Sequence, residues 1–73
     1  MDIKSKKIRI AWNTEKTRSV VLSKMKEFSI EEDYSGKNFI VKGWYNKDNF
    51  FTFGTFALKE LAEAYLEDIH NLL

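Results

Sequence analysis

In "KKIRIAWN", residues 6–13, apolar and polar positions alternate, with Ile8, Ile10 and Trp12 on one side and Lys7, Arg9 and Ala11 on the other. A period of two predicts a half-buried strand whose apolar side is Ile8, Ile10 and Trp12. The next segment, "NTEKTRSVVLSKMKEF", changes period. Val21, Leu22, Met25 and Phe28 recur at helical spacing, Lys24 and Lys26 fall outside them, and Asn13 or Thr14 precedes Glu15 as an N-cap. The expectation is a helix, although Val20-Val21-Leu22 between serines also suits a second strand. "SIEEDYSGKNFIVKGWYN" reads as a hairpin turning at Ser35-Gly36, where glycine supplies a positive φ. A second turn at Asn46-Lys47-Asp48-Asn49 resembles a three-residue loop, a type I turn followed by a left-handed residue at Asn49.

The last segment, "LKELAEAYLEDIHNLL", sets Leu58, Leu61, Ala62, Tyr65, Leu66, Ile69, Leu72 and Leu73 on one stripe, opposite Lys59, Glu60, Glu63, Glu67 and Asp68. This is an amphipathic helix. The expected fold is therefore α+β in the order β-α-β-β-β-α. One antiparallel meander sheet packs against two helices in a single domain spanning 1–73.

Fifteen residues, "GWYNKDNFFTFGTFA", hold Trp44, Tyr45, Phe50, Phe51, Phe53 and Phe56 around one polar turn. If Asn46 and Phe50 close that turn, Gly43 pairs with Phe53 and Tyr45 with Phe51. One sheet face then carries Phe39, Val41, Tyr45, Phe51 and Phe53, and the other carries Ile40, Lys42, Trp44, Phe50, Thr52 and Phe56. Both faces are apolar, which admits three readings. The face with Lys42, Trp44, Phe50 and Thr52 meets a protein, either a second copy or a larger target. Alternatively, the helices straddle the sheet and both faces are core. Otherwise the rings stack nucleic-acid bases.

Charge alters this picture modestly. The net charge is +1, but between Ile3 and Lys26 eight bases face the single acid Glu15, a local net of +7. Lys4, Lys6, Lys7, Arg9, Lys16 and Arg18 are thus candidate nucleic-acid contacts, the alternative to a protein-binding role. With 73 residues the chain lies near the size at which a core alone sustains a fold, and its 15% aromatic content compensates. The absence of cysteine excludes disulfides and thiolate ligands. The start "MDIKSKKIRI" lacks an apolar stretch of signal-peptide length and no run is long enough to span a bilayer, so a cytoplasmic protein without membrane attachment is expected.

Catalytic chemistry finds little support. His70 is the only histidine, so the Glu67-x-x-His70 spacing has no second motif with which to build a metal site. Neighbours in Glu31-Glu32-Asp33 point to opposite sides of a strand, unlike carboxylates converging on one cleft. Gly36, Gly43 and Gly54 are isolated and form no phosphate loop. No catalytic residue, metal or cofactor is expected. The corner "FGTFALKELAEAYLEDI", residues 53–69, resembles the strand-to-helix corner of the arm-binding domains of phage integrases. Phe56, Ala62 and Leu66 match that corner, and Leu58 and Leu61 depart from it. A likeness of one corner assigns no family. The reading is a small non-catalytic binding domain.

Overall fold

The computed structural model describes residues 9–72. In chain order they form β1 (Ile10–Trp12), β2 (Ser19–Val21), a 3₁₀ turn (Leu22–Lys24), β3 (Glu27–Glu32), β4 (Phe39–Trp44), β5 (Phe50–Phe56) and α1 (Lys59–Leu72). β1 and β2 pair as an antiparallel ribbon, and β3, β4 and β5 form an antiparallel meander in sequence order. The class is α+β, but the described residues contain one α-helix instead of two. None of their helices is long and apolar enough to cross a membrane.

The helix expected after β1 is replaced by the second strand. Asn13 uses its capping chemistry to close a hairpin: its Oδ1 accepts from the backbone N–H of Thr17 at 2.9 Å and of Arg18 at 3.2 Å. Its Nδ2 donates to Thr17 Oγ1 at 2.9 Å. Lys16 adopts φ 58°, a left-handed conformation that no helix interior accommodates. Val20 and Val21 are β-branched and lose little by extending. Val20 and Leu22 are then buried two residues apart, a strand period where a helix was expected.

The first meander hairpin turns where expected, with Gly36 at φ 74°. Asp33 anchors it, accepting from Ser35 Oγ at 2.6 Å, Asn38 Nδ2 at 3.0 Å and Ser35 N at 3.1 Å. Those bonds, the Ser35 hydroxyl first and then Asn38, hold the Asp33 carboxyl down to about 2. At the second turn the expected left-handed Asn49 is absent, since Lys16 alone among described non-glycine residues has positive φ. Asn46 Oδ1 instead accepts from the N–H groups of Asp48 and Asn49 at 2.8 and 3.0 Å.

The turn is displaced along the chain, with Tyr45 N–H donating to Asn49 O at 2.9 Å, and this shifts the register by two from the expected one. Gly43 pairs with Phe51, Trp44 with Phe50 and Lys42 with Thr52. A shift of two preserves which side each residue faces. Further along, the pairing jumps from Lys42–Thr52 to Val41–Gly54, so Phe53 is an extra, bulged residue. The bulge reverses the parity of the residues beyond it. Phe56, expected on the face that carries Trp44, pairs with Phe39 and packs on Tyr65 of the helix, with ring centroids 5.4 Å apart.

The core lies between the meander and the helix. Val41, Phe51 and Phe53 from the sheet meet Ala62 and Ile69 from α1, and the ribbon adds Ala11, Val20 and Leu22. The ribbon thus takes part of the role assigned to the second helix. It docks at the bulge, where Thr14 N–H donates to Phe53 O at 2.7 Å. Gly54 permits that approach, because a Cβ there would lie 2.4 Å from Thr14 Cγ2. Within the core, Phe53 meets Phe51 edge-on with centroids 4.9 Å apart.

The side of β1 that faces inward is opposite to the expected one. Ala11 is buried, while Ile10 and Trp12 are 49% and 52% exposed. A methyl group at position 11 lets the ribbon lie close against the core, which two large side chains would prevent.

Candidate interaction surfaces

The helix and the ribbon cover the same side of the meander, so its other side stays open among the described residues. Strand alternation and the observed register place Glu27, Ser29 and Glu31 of β3 there. Ile40, Lys42 and Trp44 of β4 lie beside them, followed by Phe50, Thr52 and Thr55 of β5. The four residues expected to form a surface, Lys42, Trp44, Phe50 and Thr52, are brought together as two directly opposed cross-strand pairs.

Their geometry is a small network. The Trp44 and Phe50 rings have centroids 4.9 Å apart and a 50° tilt. The Lys42 ammonium lies 4.2 Å from the Phe50 centroid and 5.6 Å from that of Trp44, within cation–π range of both. It also donates to Glu31 Oε1 at 2.9 Å. Trp44 Nε1 donates to Ser29 Oγ at 2.9 Å, and Ser29 Oγ to Glu31 Oε2 at 3.4 Å. The indole is therefore half-buried among neighbours on an open face, with its only polar atom satisfied, and Phe50 remains 46% exposed. Lys42 and Glu31 compensate each other, which leaves Glu27 to give this face an acidic margin.

Of the basic residues in the alternative site, the three described ones, Arg9, Lys16 and Arg18, are dispersed along the ribbon. Lys4, Lys6 and Lys7 lie outside the described residues. Arg9 Nη1 donates to the carbonyl of Leu72 at the helix C-terminus, where a cation complements the helix dipole. Arg18 sits 5.4 Å above the Phe51 ring, and Lys16 occupies the exposed turn of the ribbon. Two of the three described bases thus make intramolecular contacts and do not converge on one groove.

A second surface was not anticipated. On the flank of α1, Leu58, Leu61, Tyr65, Asp68 and Leu72 recur at spacings of three and four, adjoining the buried stripe of Ala62 and Ile69. β1 runs beside this flank, tied to it because the Tyr65 hydroxyl donates to Trp12 O. Burial pushes the Tyr65 phenol pKa up. Between them lies an apolar cleft of about 260 Å³ lined by Ile10, Ala11, Trp12, Tyr65, Asp68, Ile69 and Leu72. The signal in the sequence was an apolar stripe too wide for one buried line of contact, with leucines at 58, 61 and 72.

Remaining chemistry-bearing groups do not assemble. His70 is packed edge-on against Phe28, with centroids 5.6 Å apart. Among the described residues no three His, Asp or Glu side chains are grouped to hold a metal ion. A polar depression of about 240 Å³ beside the bulge is lined by Asn13, Thr14, Glu15 and residues 52–55. Thr14 and Gly54 meet there for a structural reason, the docking of the ribbon. No protein-family model, no curated protein and no solved structure matches this chain.

Proposed function

We propose that the chain is a small, non-catalytic binding domain, acting in the cytoplasm, that recognises a protein through the open side of its meander. The observation that carries this reading is the Trp44–Phe50 ring pair, held around the Lys42 ammonium on a face that helix and ribbon both leave uncovered. Aromatic anchors fixed in place by neighbours lose little side-chain entropy on binding and are the residue types that concentrate interface energy. Thr52 and Ser29 supply polar positions beside them. The acidic margin from Glu27 favours a partner with an apolar centre and a basic rim, and disfavours a second copy of the same face.

Binding of a nucleic acid is the competing reading, and salt dependence separates the two. Phosphate contacts lose affinity steeply with salt, whereas an apolar interface is nearly indifferent to it. The test is capture of partners from cell extract by wild type, by Trp44→Asp and by Lys16→Glu/Arg18→Glu, at low and high salt. A specific protein retained by wild type at high salt and lost by Trp44→Asp supports the proposal. Retention of nucleic acid only, abolished by the charge reversals and by salt, overturns it.

A further inference from the structure

We propose that the apolar cleft between β1 and α1 is a self-association surface, and that its occupant is Trp12 of a second copy of this chain. The surface sets a half-exposed ring at the wall of a recess. Trp12 is 52% exposed, and the 260 Å³ cleft next to it is large enough to receive a ring. A two-fold axis places each ring against the other copy's recess, the self-complementary arrangement that a symmetric dimer requires.

Area and charge agree with that occupant. Ile10, Trp12, Leu58, Leu61 and Leu72 are each between 44% and 57% exposed along one flank. With Tyr65 they offer roughly 600 Å² of surface per chain and roughly 1,200 Å² across two copies, the lower end of a stable specific interface. Opposite charges border the same surface: Asp68 lines the cleft, and Arg9 reaches the carbonyl of Leu72 at its end. A two-fold axis passing between Arg9 and Asp68 would bring each Arg9 to the other copy's Asp68. An extended peptide is the poorer occupant. β1 has only three residues, and its Trp12 carbonyl is already taken by Tyr65, so little backbone remains to pair with a guest strand.

The inference is independent of the open sheet face, and one experiment separates them. Molar mass in solution is measured by light scattering from micromolar to millimolar concentration for wild type, Trp12→Glu, Leu61→Glu and Trp44→Asp. The same series includes Arg9→Glu, Asp68→Lys and the double charge swap. Wild type is expected at about 17 kDa, twice the 8.6 kDa chain. Trp12→Glu and Leu61→Glu should weaken association about 100-fold, since a carboxylate replaces a buried anchor. Trp44→Asp should leave the dimer intact. Each single charge reversal should weaken it several-fold and the swap should recover it. If circular dichroism shows Trp12→Glu to be unfolded, Leu61→Glu and the charge swap decide. A monomeric wild type at millimolar concentration overturns the proposal. So does a dimer that survives the cleft variants but dissociates on Trp44→Asp.

Discussion

Gly54→Ala should destabilise this protein, and Thr14→Gly should reverse the sign of its effect. Gly54 lies within β5 and has no positive φ, so alanine suits its backbone. In isolation the change should stabilise by about 0.5–1 kcal/mol, because alanine surrenders less chain entropy than glycine in a strand. The ribbon opposes that gain. A Cβ at position 54 would stand 2.4 Å from Thr14 Cγ2, 2.6 Å from Oγ1 and 3.1 Å from Cβ. The short threonine side chain cannot swing clear of the last of these. The backbone of residue 14 must retreat, stretching its 2.7 Å bond to Phe53 O. Overpacking of this kind costs about 1–3 kcal/mol, which leaves a net loss of at most about 2.5 kcal/mol, centred on about 1 kcal/mol. For a domain of this length a loss of about 1 kcal/mol is a fall in melting temperature of roughly 4–8 °C. In a Thr14→Gly background the obstructing atoms are gone and Gly54→Ala should be neutral or stabilising. A double-mutant cycle read by thermal unfolding should give a coupling of about 1–3 kcal/mol between the two sites. A Gly54→Ala protein melting at or above wild type, with no coupling, would refute the docking of the ribbon at the bulge.

Phe53→Ala should leave the chain largely unfolded at 25 °C. Phe53 is fully buried, and its loss costs about 3–5 kcal/mol, similar to the whole stability such a small core supplies; a well-dispersed amide spectrum of the variant would contradict this. Asp33→Asn should remove a component of acid sensitivity. The folded carboxyl titrates at about 2 against an ordinary 3.8, so its contribution is present above the unfolded pKa and is lost as pH falls toward 2. Urea midpoints between those two pH values should therefore fall less for the variant than for wild type, and parallel curves would exclude a role for the turn. Tyr65→Phe should cost about 0.5–1 kcal/mol in urea unfolding, by removing the hydroxyl donated to Trp12 O. Unchanged stability would mean that β1 is held by packing alone.

Much of the fold is legible in the sequence because it stems from local chemistry. The alternation around Ser35-Gly36, the polar turn at 46–49 and the amphipathic run after Leu58 each name their element without tertiary information. The helix expected at 14–28 does not form, because its cues are shared with another element. An asparagine that caps a helix also closes a hairpin, and Val-Val-Leu satisfies either period over so short a span. Lys16 in the left-handed region separates the two, and lysine carries no such signal in a sequence.

The candidate surfaces show the same boundary between local and non-local information. Lys42, Trp44, Phe50 and Thr52 share one side of the sheet even though the register differs by two, because parity, not register, decides which side a strand residue faces. Phe56 escapes the grouping because a bulge changes parity, and the ribbon that docks at the bulge is remote from it along the chain. β1 is expected with its large residues inward on the ordinary premise that size seeks burial. That premise fails where a strand must approach a core already filled by Phe51, Phe53 and Leu22. There the smallest residue goes in, and the larger ones are left to face outward beside the helix. The inversion bears on the proposed self-association. A chain this small does not leave Ile10 and Trp12 half-exposed beside an apolar cleft without cost, since a scattered pair of apolar side chains is ordinary but a contiguous flank is not. In the dimer proposed above, a second copy on that flank would offset apolar surface that so small a core leaves exposed, and the open side of the meander would stay free for the proposed partner.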